Sequence, residues 1–277
     1  GATMSLADAG VPMVAVGVPV EGRDLPAVLV QDREGGAAVA RHLLELGHRR
    51  FGYVTGPPGN FNDTERWAGF ITTLVEAGIG AESVARYYGN FHVESGVAAG
   101  RRFLASSVRP TAVFATSDMM AIGFMRALHQ AGLTIPNDVS IAGFDGIEFA
   151  DYCEPPLTTV RQPRGAMGRE AAELLIRLIR GETVPAEAAR LRLEITLRTA
   201  DSTAPPGCPV GTGLPARPSP SQVPANRLAM NHGKFTHPIS PNRQFHFRRT
   251  PWATSGSSRV MQISERFLVH SVSIRLP

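Results

Sequence analysis

The chain has 277 residues, 43% of them hydrophobic and 19% charged, which suffices for one large or two ordinary domains with sizeable cores. No apolar stretch reaches the roughly 18 residues of a transmembrane helix, so no membrane span is expected. The formal net charge of +4 is unevenly distributed, because residues 201–277 carry nine Lys and Arg against two acids. The first 200 residues sum to −3, which excludes the basic footprint of a nucleic-acid-binding domain there.

The cysteines and the amino-terminal residues bear on the compartment. Cys153 and Cys208 are far apart and neither has a partner at metal-ligand spacing, so a disulfide framework is not expected. The first ten residues have neither a basic region nor a long apolar core, and they do not resemble a secretion signal. These features predict a reduced, cytoplasmic protein.

Apolar runs of strand length alternate with amphipathic helical patterns along the first 200 residues. Strands are predicted at residues 13–18, 27–30, 50–56, 85–89, 111–118 and 139–145, with an extended segment at 157–160 and a last, half-exposed strand at 190–200. Helices are predicted at residues 34–48, 64–78, 93–105, 119–132 and 165–181. The alternation predicts an α/β fold with a doubly wound parallel sheet, in which ligands bind beyond the carboxyl ends of the strands.

The alternation stops after residue 201. Residues 203–277 are rich in proline, glycine, serine and arginine and show no apolar period, which predicts a tail that is mostly disordered or poorly packed. A basic arm that touches nucleic acid is the less favoured alternative for this tail.

The loop after the predicted strand at 50–56 offers polar side chains at the ligand edge of the sheet. Its sequence "GPPGN" lacks the Gly-Lys-Ser/Thr of a phosphate-binding loop, and no G-x-G-x-x-G follows a strand, so both nucleotide motifs are excluded. Asn60, Asn62 and Arg66 stand there instead. Because an arginine in the first turn of a helix opposes the helix dipole, Arg66 is either a donor aimed at a ligand or an exposed surface residue.

Three further strand ends carry candidates with competing interpretations. Phe91 could stack on a ligand, although packing against the next helix is the more frequent role of such a loop aromatic. Ser117 and Asp118 open a helix and either could be its N-cap, which is the stronger interpretation for Asp118. Asp145, flanked by nearby glycines, could cap the following turn or meet a ligand that approaches the backbone closely.

No catalytic set accompanies these residues. The histidines of the first 200 residues have no cysteine or acidic partner at metal spacing, and no nucleophile elbow occurs. We therefore expect neither an enzyme nor a bound metal or cofactor. Amides, an arginine, an aromatic ring, a hydroxyl and a carboxylate suit a neutral polyhydroxy or heterocyclic ligand better than acid–base chemistry.

Several longer segments indicate a protein family more specifically than the single residues do. They are "GGAAVARHLLELGHRRFGYVTGPP", "RWAGFITTL", "RPTAVFATSDMMAIGFMRALHQAG", "PNDVSIAGFD", "PPLTTVRQP", "MGREAAELLIRLI" and "LRTADSTAPP". In this order and spacing they resemble the LacI/GalR family of bacterial transcriptional regulators over about residues 5–206. The resemblance implies a core like the type I periplasmic binding proteins, a small-molecule effector in the cleft between two α/β subdomains, and a homodimer. It also implies DNA binding through a helix-turn-helix headpiece, which we do not find in this sequence.

The resemblance assigns roles to the residues at the strand ends. The family's effector contacts fall on Asn60, Asn62, Arg66, Phe91, Ser117 and Asp145. The arginine and the acid are expected to hold hydroxyls or ring nitrogens of a carbohydrate or nucleoside-like effector, and Phe91 is expected to stack on it. The two asparagines and the serine occupy positions that vary with the ligand in the family.

The resemblance also divides the chain into one nearly complete and one partial subdomain. Residues 1–31 and 163–188 would be the remnant of the amino-terminal effector subdomain, and residues 32–160 and 190–202 the nearly complete carboxyl-terminal one. Residues 203–277 would be a tail outside the family pattern. A periplasmic-type solute-binding protein is the alternative function with the same fold, less favoured without a secretion signal, and an α/β enzyme is less favoured still.

Overall fold

The computed structural model describes residues 10–20, 22, 25–185 and 189–207, which belong to one compact unit. Its strands, in chain order, are β1 (Ala15–Val16), β2 (Ala27–Val30), β3 (Phe51–Val54), β4 (Ala85–Tyr87), β5 (Ala112–Ala115), β6 (Ser140–Asp145), β7 (Thr158–Arg161), β8 (Arg190–Leu193) and β9 (Thr196–Arg198). Its helices are α1 (Asp32–Glu45), α2 (Phe61–Glu76), α3 (Val93–Ala105), α4 (Asp118–Gln130) and α5 (Arg164–Ile179), with short 3₁₀ helices at Ala81–Ser83 and Glu148–Asp151. The predicted tail beyond residue 207 lies outside the described residues.

The larger sheet has the strand order β4-β3-β5-β6-β7-β9. Neighbouring strands are parallel except β9, which runs antiparallel to β7. The central strands are continuous apolar runs because helices cover both faces of the sheet. Val39 of α1 and Phe70 of α2 pack on one face, and Phe103 of α3 and Phe124 of α4 pack on the other. The predicted doubly wound α/β fold is confirmed.

Glycines let α1 and α2 approach each other closely. A Cβ at Gly36 would overlap the Arg66 carbonyl oxygen, and a Cβ at Gly69 would overlap the Arg33 carbonyl oxygen. Neither position could carry a larger residue without separating the two helices. The approach brings the amino-terminal turns of α1 and α2 together, which places Asp32 against Arg66.

The smaller sheet contains three parallel strands in the order β1-β2-β8. Helix α5 packs against it, with Met167 in the same apolar cluster as Val28 and Val30. The chain therefore passes between the two sheets in three short segments, residues 31–32, 162–163 and 194–195.

The last predicted strand differs from the structure. Residues 190–200 do not form one strand, because β8 pairs with β2 in the smaller sheet and β9 pairs with β7 in the larger one. The expectation that residues 190–202 belong wholly to the larger subdomain is therefore wrong for residues 190–193. An alternating pattern cannot show that a chain changes sheets, since both halves alternate with the same period.

The last described segment is held at the amino-terminal end of the larger sheet. Ser202 is fully buried, and its hydroxyl donates to the Ile141 carbonyl oxygen at 2.6 Å. The His48 Nε2 atom lies 3.0 Å from the Ala204 carbonyl oxygen, and burial lowers the pKa of this histidine. Thr203 is hydrogen-bonded to His42 at 2.9 Å. The prediction that the poorly packed tail begins at residue 203 is therefore wrong for Thr203 and Ala204, which are hydrogen-bonded to the core.

Candidate functional site

Arg66 lies at the carboxyl ends of the strands of the larger sheet and is only 3% exposed. Its Nε atom donates to Asp32 Oδ1 at 2.7 Å, and its Nη1 atom donates to the Thr116 carbonyl oxygen at 2.6 Å. The guanidinium carbon lies 3.6 Å from the centre of the Phe144 ring, a cation–π contact. The sequence interpretation of Arg66 as an exposed surface residue is therefore wrong.

Asp32 is the first residue of α1 and is 1% exposed. One carboxylate oxygen accepts from Arg66, and the other, Oδ2, is buried with no hydrogen-bond partner among the described residues. Burial raises the pKa of Asp32 above its usual value, and the charge of Arg66 opposes this rise. The sequence interpretation missed Asp32 because it placed the helix start at residue 34, although an acid that follows an apolar strand is the same signal that singled out Asp145.

Asp145 is the last residue of β6, and its backbone has a φ of 119°, a conformation that non-glycine residues rarely adopt. Its Oδ1 atom accepts from Gln162 Nε2 at 2.7 Å and lies 3.7 Å from Arg66 Nη1. The side chain is 26% exposed. Burial raises the pKa of Asp145 to about 6, against the lowering effects of Arg66 and Gln162.

The geometry excludes the capping alternative for Asp145 and gives the nearby glycines a role within the protein. The following 3₁₀ helix has Ile147 as its N-cap and no side-chain cap bond, so Asp145 does not cap that turn. The nearby glycines serve the protein's own side chains: a Cβ at Gly143 would overlap Asp118, and a Cβ at Gly146 would overlap Arg161. Close approach of a ligand to the backbone beside Asp145 stays a prediction.

Gln162 is a second residue that the sequence interpretation missed. It follows β7 and lies in one of the three segments that pass between the sheets. Its side-chain amide donates to Asp145, and its backbone N–H donates to the Asp145 carbonyl oxygen at 3.3 Å. Gln162 thus ties the end of β6 to the segment that precedes α5, 17 residues further along the chain, and no local motif indicates this link.

The two predicted residues Asn60 and Ser117 serve as helix caps. Asn60 Oδ1 accepts from the Asp63 N–H at 3.0 Å at the start of α2, and Ser117 Oγ accepts from the Met120 N–H at 3.3 Å at the start of α4. Their assignment to ligand contacts stays a prediction. Asn62 differs, because its Oδ1 atom is buried without a hydrogen-bond partner among the described residues.

Phe91 has a backbone φ of 69°, which is also rare for a residue with a side chain. Its ring lies directly over Gly56, at the end of β3, where a Cβ would overlap the ring carbons. Its N–H donates to Met120 Sδ at 3.4 Å. The ring is therefore fixed at the strand-end edge by contacts with β3 and α4, and it remains half-buried.

Asp118 corrects another sequence interpretation. Ser117, and not Asp118, is the N-cap of α4. The Asp118 carboxylate instead accepts from Thr159 and from the Ile147 N–H, on the strand and loop next to Asp145.

The chemistry of this edge is that of hydrogen bonding rather than catalysis. The candidate site combines acceptors at Asp32, Asn62 and Asp145 with the buried cation of Arg66. In the described part of the chain, no three His, Cys, Asp or Glu side chains form a group that could hold a metal ion, and no helix is long and apolar enough to cross a membrane. Such a set of acceptors with one cation suits a ligand that presents several hydroxyl donors.

Known proteins share this fold and much of this sequence. Residues 40–203 match the family model described as periplasmic binding protein-like domain. The chain is 39% identical over 199 residues to the HTH-type transcriptional regulator CelR of Thermobifida fusca, an alignment that covers 71% of this chain and 58% of that protein. The chain spans a little over half the length of the curated relatives it matches.

Two solved structures are similar to the chain. A complex of the transcriptional regulator CelR with cellobiose has 37% sequence identity and a TM-score of 0.67, and the match covers 73% of this chain and 62% of that one. A LacI family transcriptional regulator from Enterococcus faecium with bound ribose has 31% identity and a TM-score of 0.67, and the match covers 73% and 74%. These relatives are transcriptional regulators and not enzymes. The chain belongs to the LacI family of transcriptional regulators and contains its periplasmic binding protein-like, effector-binding domain.

Proposed function

We propose that this domain binds a small hydroxyl-rich effector, a carbohydrate or nucleoside-like molecule, at the edge where Arg66, Asp32 and Asp145 meet. The observation that carries the proposal is the buried Asp32 Oδ2 atom, which has no hydrogen-bond partner among the described residues. A buried acceptor of this kind is costly unless something donates to it. A ligand hydroxyl supplies such a donor.

The charge balance of the site favours a neutral ligand with several donors. The Arg66 guanidinium is already bonded to Asp32 and to a backbone carbonyl oxygen. An anionic ligand would therefore meet the carboxylates of Asp32 and Asp145 rather than a free cation. Sugar hydroxyls both donate and accept, and they can therefore serve the carboxylates without adding charge. The relatives crystallised with cellobiose and with ribose support the same ligand class.

We place this activity in a cytoplasmic transcriptional regulator that binds DNA through a headpiece outside this chain. The name "HTH-type" of the relatives supports that assignment, and so does the net charge of −3 of residues 1–200, which is not that of a nucleic-acid-binding domain. We also retain the predicted subdomain division, with the boundary near residue 193 corrected, and place the effector between the two sheets.

Isothermal titration of the wild-type chain with ribose, cellobiose and a purine nucleoside tests the effector proposal. We expect saturable binding of at least one of them, and we expect Asp32→Asn to weaken it by roughly tenfold or more, about 1.4 kcal/mol, because the ligand loses a charged acceptor. Glu65→Gln is the matched control, since this acid pairs with Arg33 across the same two helices on the outer surface. The absence of binding to all three, or an equal loss in both variants, would contradict the proposal.

The second part of the proposal is that the chain forms a homodimer through an exposed aromatic surface. Phe149 is 71% exposed and Tyr152 is 77% exposed, on the turn after β6. Asp151 fixes this turn through ion pairs with Arg161, at 3.2 Å, and with Arg198. A groove of about 420 Å³, lined by residues that include Met125 and Cys153, adjoins the turn along α4. An exposed aromatic surface beside a groove suits a second copy of the chain.

The double variant Phe149→Arg/Tyr152→Arg is expected to be monomeric where the wild type is dimeric, because four buried charges per dimer would oppose association. Sedimentation equilibrium measures the mass directly. Tyr88→Arg is the matched control, because Tyr88 is an equally exposed aromatic next to β4, at the far edge of the larger sheet. A monomeric wild type would refute the dimer, and an unchanged mass in the double variant would refute this surface.

A further inference from the structure

The Asp118 carboxylate is completely buried and bridges three elements of the larger domain. Its Oδ1 atom accepts from the Thr159 hydroxyl on β7 at 2.6 Å, and its Oδ2 atom accepts from the Ile147 N–H at 2.9 Å. Asp118 itself is the first residue of α4. Both oxygens of this buried carboxylate accept hydrogen bonds from the protein itself, one from β7 and one from the turn after β6. The carboxylate lies beside β6, the strand that ends in Asp145.

The backbone around Asp118 is shaped to admit it. A Cβ at Gly143 would overlap Asp118 Oδ1, so β6 can pass over this carboxylate only because residue 143 is glycine. Gly143 is two residues before Asp145 on the same strand. The carboxylate of Asp118 therefore packs against the backbone that carries the candidate effector-binding acid.

Asp145 needs such support because its backbone conformation is unfavourable. Its φ of 119° is outside the regions that non-glycine residues prefer, and strained residues persist only where the surroundings hold them. Three bonds close the turn: Gln162 N–H to the Asp145 carbonyl oxygen, Arg164 Nη2 to the Gly146 carbonyl oxygen at 2.7 Å, and Ile147 N–H to Asp118. The first two come from the segment that leads into α5, and the bond to Asp118 is the one that comes from α4.

We propose that Asp118 is the positioning residue of the effector site, which holds the 145–147 turn so that the strained Asp145 presents its carboxylate to the ligand. This inference rests on the proposed function. Asp118 acts through the Ile147 N–H and through β7, and it does not itself contact the effector. Without it, the turn keeps its links to the α5 side and loses its link to α4, so the Asp145 carboxylate is displaced from Arg66.

The charges support this arrangement. Burial, together with the negative charge of Asp145, raises the pKa of Asp118 to about 7, whereas the bonds from Thr159 and Ile147 oppose the rise. Burial raises the pKa of the Cys153 thiol, and the charge of Asp118 raises it further. Asp118 has the higher pKa of the two carboxylates, so it binds its proton first as the pH falls, and Asp145 titrates beside a neutral Asp118.

Two substitutions separate positioning from charge. Asp118→Ala removes both bonds and is expected to weaken binding of ribose or cellobiose, whichever the wild type binds, by roughly tenfold or more, because a displaced contact loses most of its value. Asp118→Asn keeps an oxygen for the Ile147 N–H and an amide that donates to Thr159, so it is expected to restore neutral-pH affinity. In Asp118→Asn the loss of affinity in acid is expected at the same pH as in the wild type, about 6, since Asp118, with a pKa of about 7, is already protonated where Asp145 titrates. Recovery of affinity in Asp118→Asn, together with its loss in Asp118→Ala, assigns the effect to the hydrogen bonds of residue 118 and not to its charge.

Asp138→Ala is the matched control for the alanine variant. Asp138 also accepts from a backbone N–H and a threonine hydroxyl, both of Thr134, at 2.6 and 2.9 Å. It is exposed and precedes β6 at the end of the sheet opposite the candidate site. Equal losses of affinity in Asp138→Ala and Asp118→Ala would overturn the proposal.

A readout without ligand keeps the inference separate from the proposed function. Amide hydrogen exchange followed by NMR is expected to show a protected Ile147 N–H in the wild type and rapid exchange of that amide in Asp118→Ala, with protection in β5 unchanged. If Asp118→Ala does not fold, Thr159→Val replaces it in the binding experiment. This variant removes only the hydroxyl partner of Asp118, so its affinity is expected to fall, but by less than the roughly tenfold expected for loss of both bonds. A wild type that binds none of the sugars sinks the proposed function, and an unchanged Ile147 exchange rate sinks the positioning role.

Discussion

Replacement of Arg66 by methionine is expected to lower the free energy of unfolding by about 3–5 kcal/mol and to abolish effector binding. The substitution leaves Asp32 as a buried, uncompensated charge and deprives the Thr116 carbonyl oxygen of its donor. It also removes the cation from the face of Phe144. Urea unfolding followed by far-ultraviolet circular dichroism measures the loss as a shift in midpoint at constant slope.

Arg33→Met is the matched control for this prediction. Arg33 pairs with Glu65 at 3.1 Å across the same two helices, but its side chain is 56% exposed. Exposed pairs contribute at most about 1 kcal/mol, so this variant is expected to unfold close to the wild type. Equal midpoints for Arg33→Met and Arg66→Met would show that the buried pair has no special role.

A double variant tests the stated cause of the loss. If the orphaned charge of Asp32 is responsible, Arg66→Met/Asp32→Leu should be more stable than Arg66→Met alone, because no buried charge remains. The pH dependence has a definite sign. Loss of Arg66 raises the pKa of Asp32 further, so the folded variant gains protons that the unfolded chain does not, and its deficit should shrink as the pH falls. A deficit that is constant from neutral to acid pH would contradict this cause.

Sequence reasoning found the residues that follow an apolar strand and missed those that act across strands. Arg66 and Asp145 were placed by the rule that ligands bind beyond the carboxyl ends of parallel strands. Asp32 obeys the same rule and was missed because the start of α1 was placed two residues late. Gln162 carries no local signal, since its partner Asp145 lies 17 positions away along the chain. Asp118 was found at a strand end but was interpreted as an N-cap, because its partner Ile147 lies 29 positions away.

Helix α3 and residues 190–200 show the same distinction between local pattern and long-range pairing. Helix α3 was predicted at its observed bounds because its apolar spacing and flanking loops are local features. The division of residues 190–200 between β8 and β9 was not, because the partner strands β2 and β7 decide it. Periodicity specifies which face of a strand is buried, and it does not specify the sheet that receives the strand.

Asp145→Asn is expected to reduce effector affinity by about 2–5 kcal/mol, which corresponds to roughly 30-fold to several thousand-fold in Kd. The amide cannot accept charged hydrogen bonds at both of its terminal atoms, and one of them would present a donor toward Arg66. Titration calorimetry with the sugar that the wild type binds measures the change. Asp151→Asn is the matched control, because Asp151 is a more exposed carboxylate six residues later whose partners are Arg161 and Arg198.

The pH profile of binding follows from the raised pKa of Asp145, about 6 in the folded protein. If the ionised carboxylate holds the ligand, wild-type affinity should fall as the pH is lowered through about 6, and the affinity of Asp145→Asn should not change there. For folding the sign is reversed. The pKa lies above the usual 3.8, so the folded state binds the proton more tightly than the unfolded chain, and ionisation of Asp145 costs stability as the pH rises through about 6.

These opposite signs give Asp145→Asn a distinctive expected result: at pH 7.5 it should bind the effector far more weakly and yet unfold at an equal or higher urea concentration. Substitution of a residue that serves both the fold and the site should lower stability and binding together, as Arg66→Met is expected to do. Asp145 instead has a strained backbone conformation and a raised pKa, and both features lower the stability of the folded state. Residues of this kind are found at ligand-binding sites, where function requires the unfavourable arrangement. A lower unfolding midpoint with unchanged affinity would remove Asp145 from the binding site and assign it to the fold.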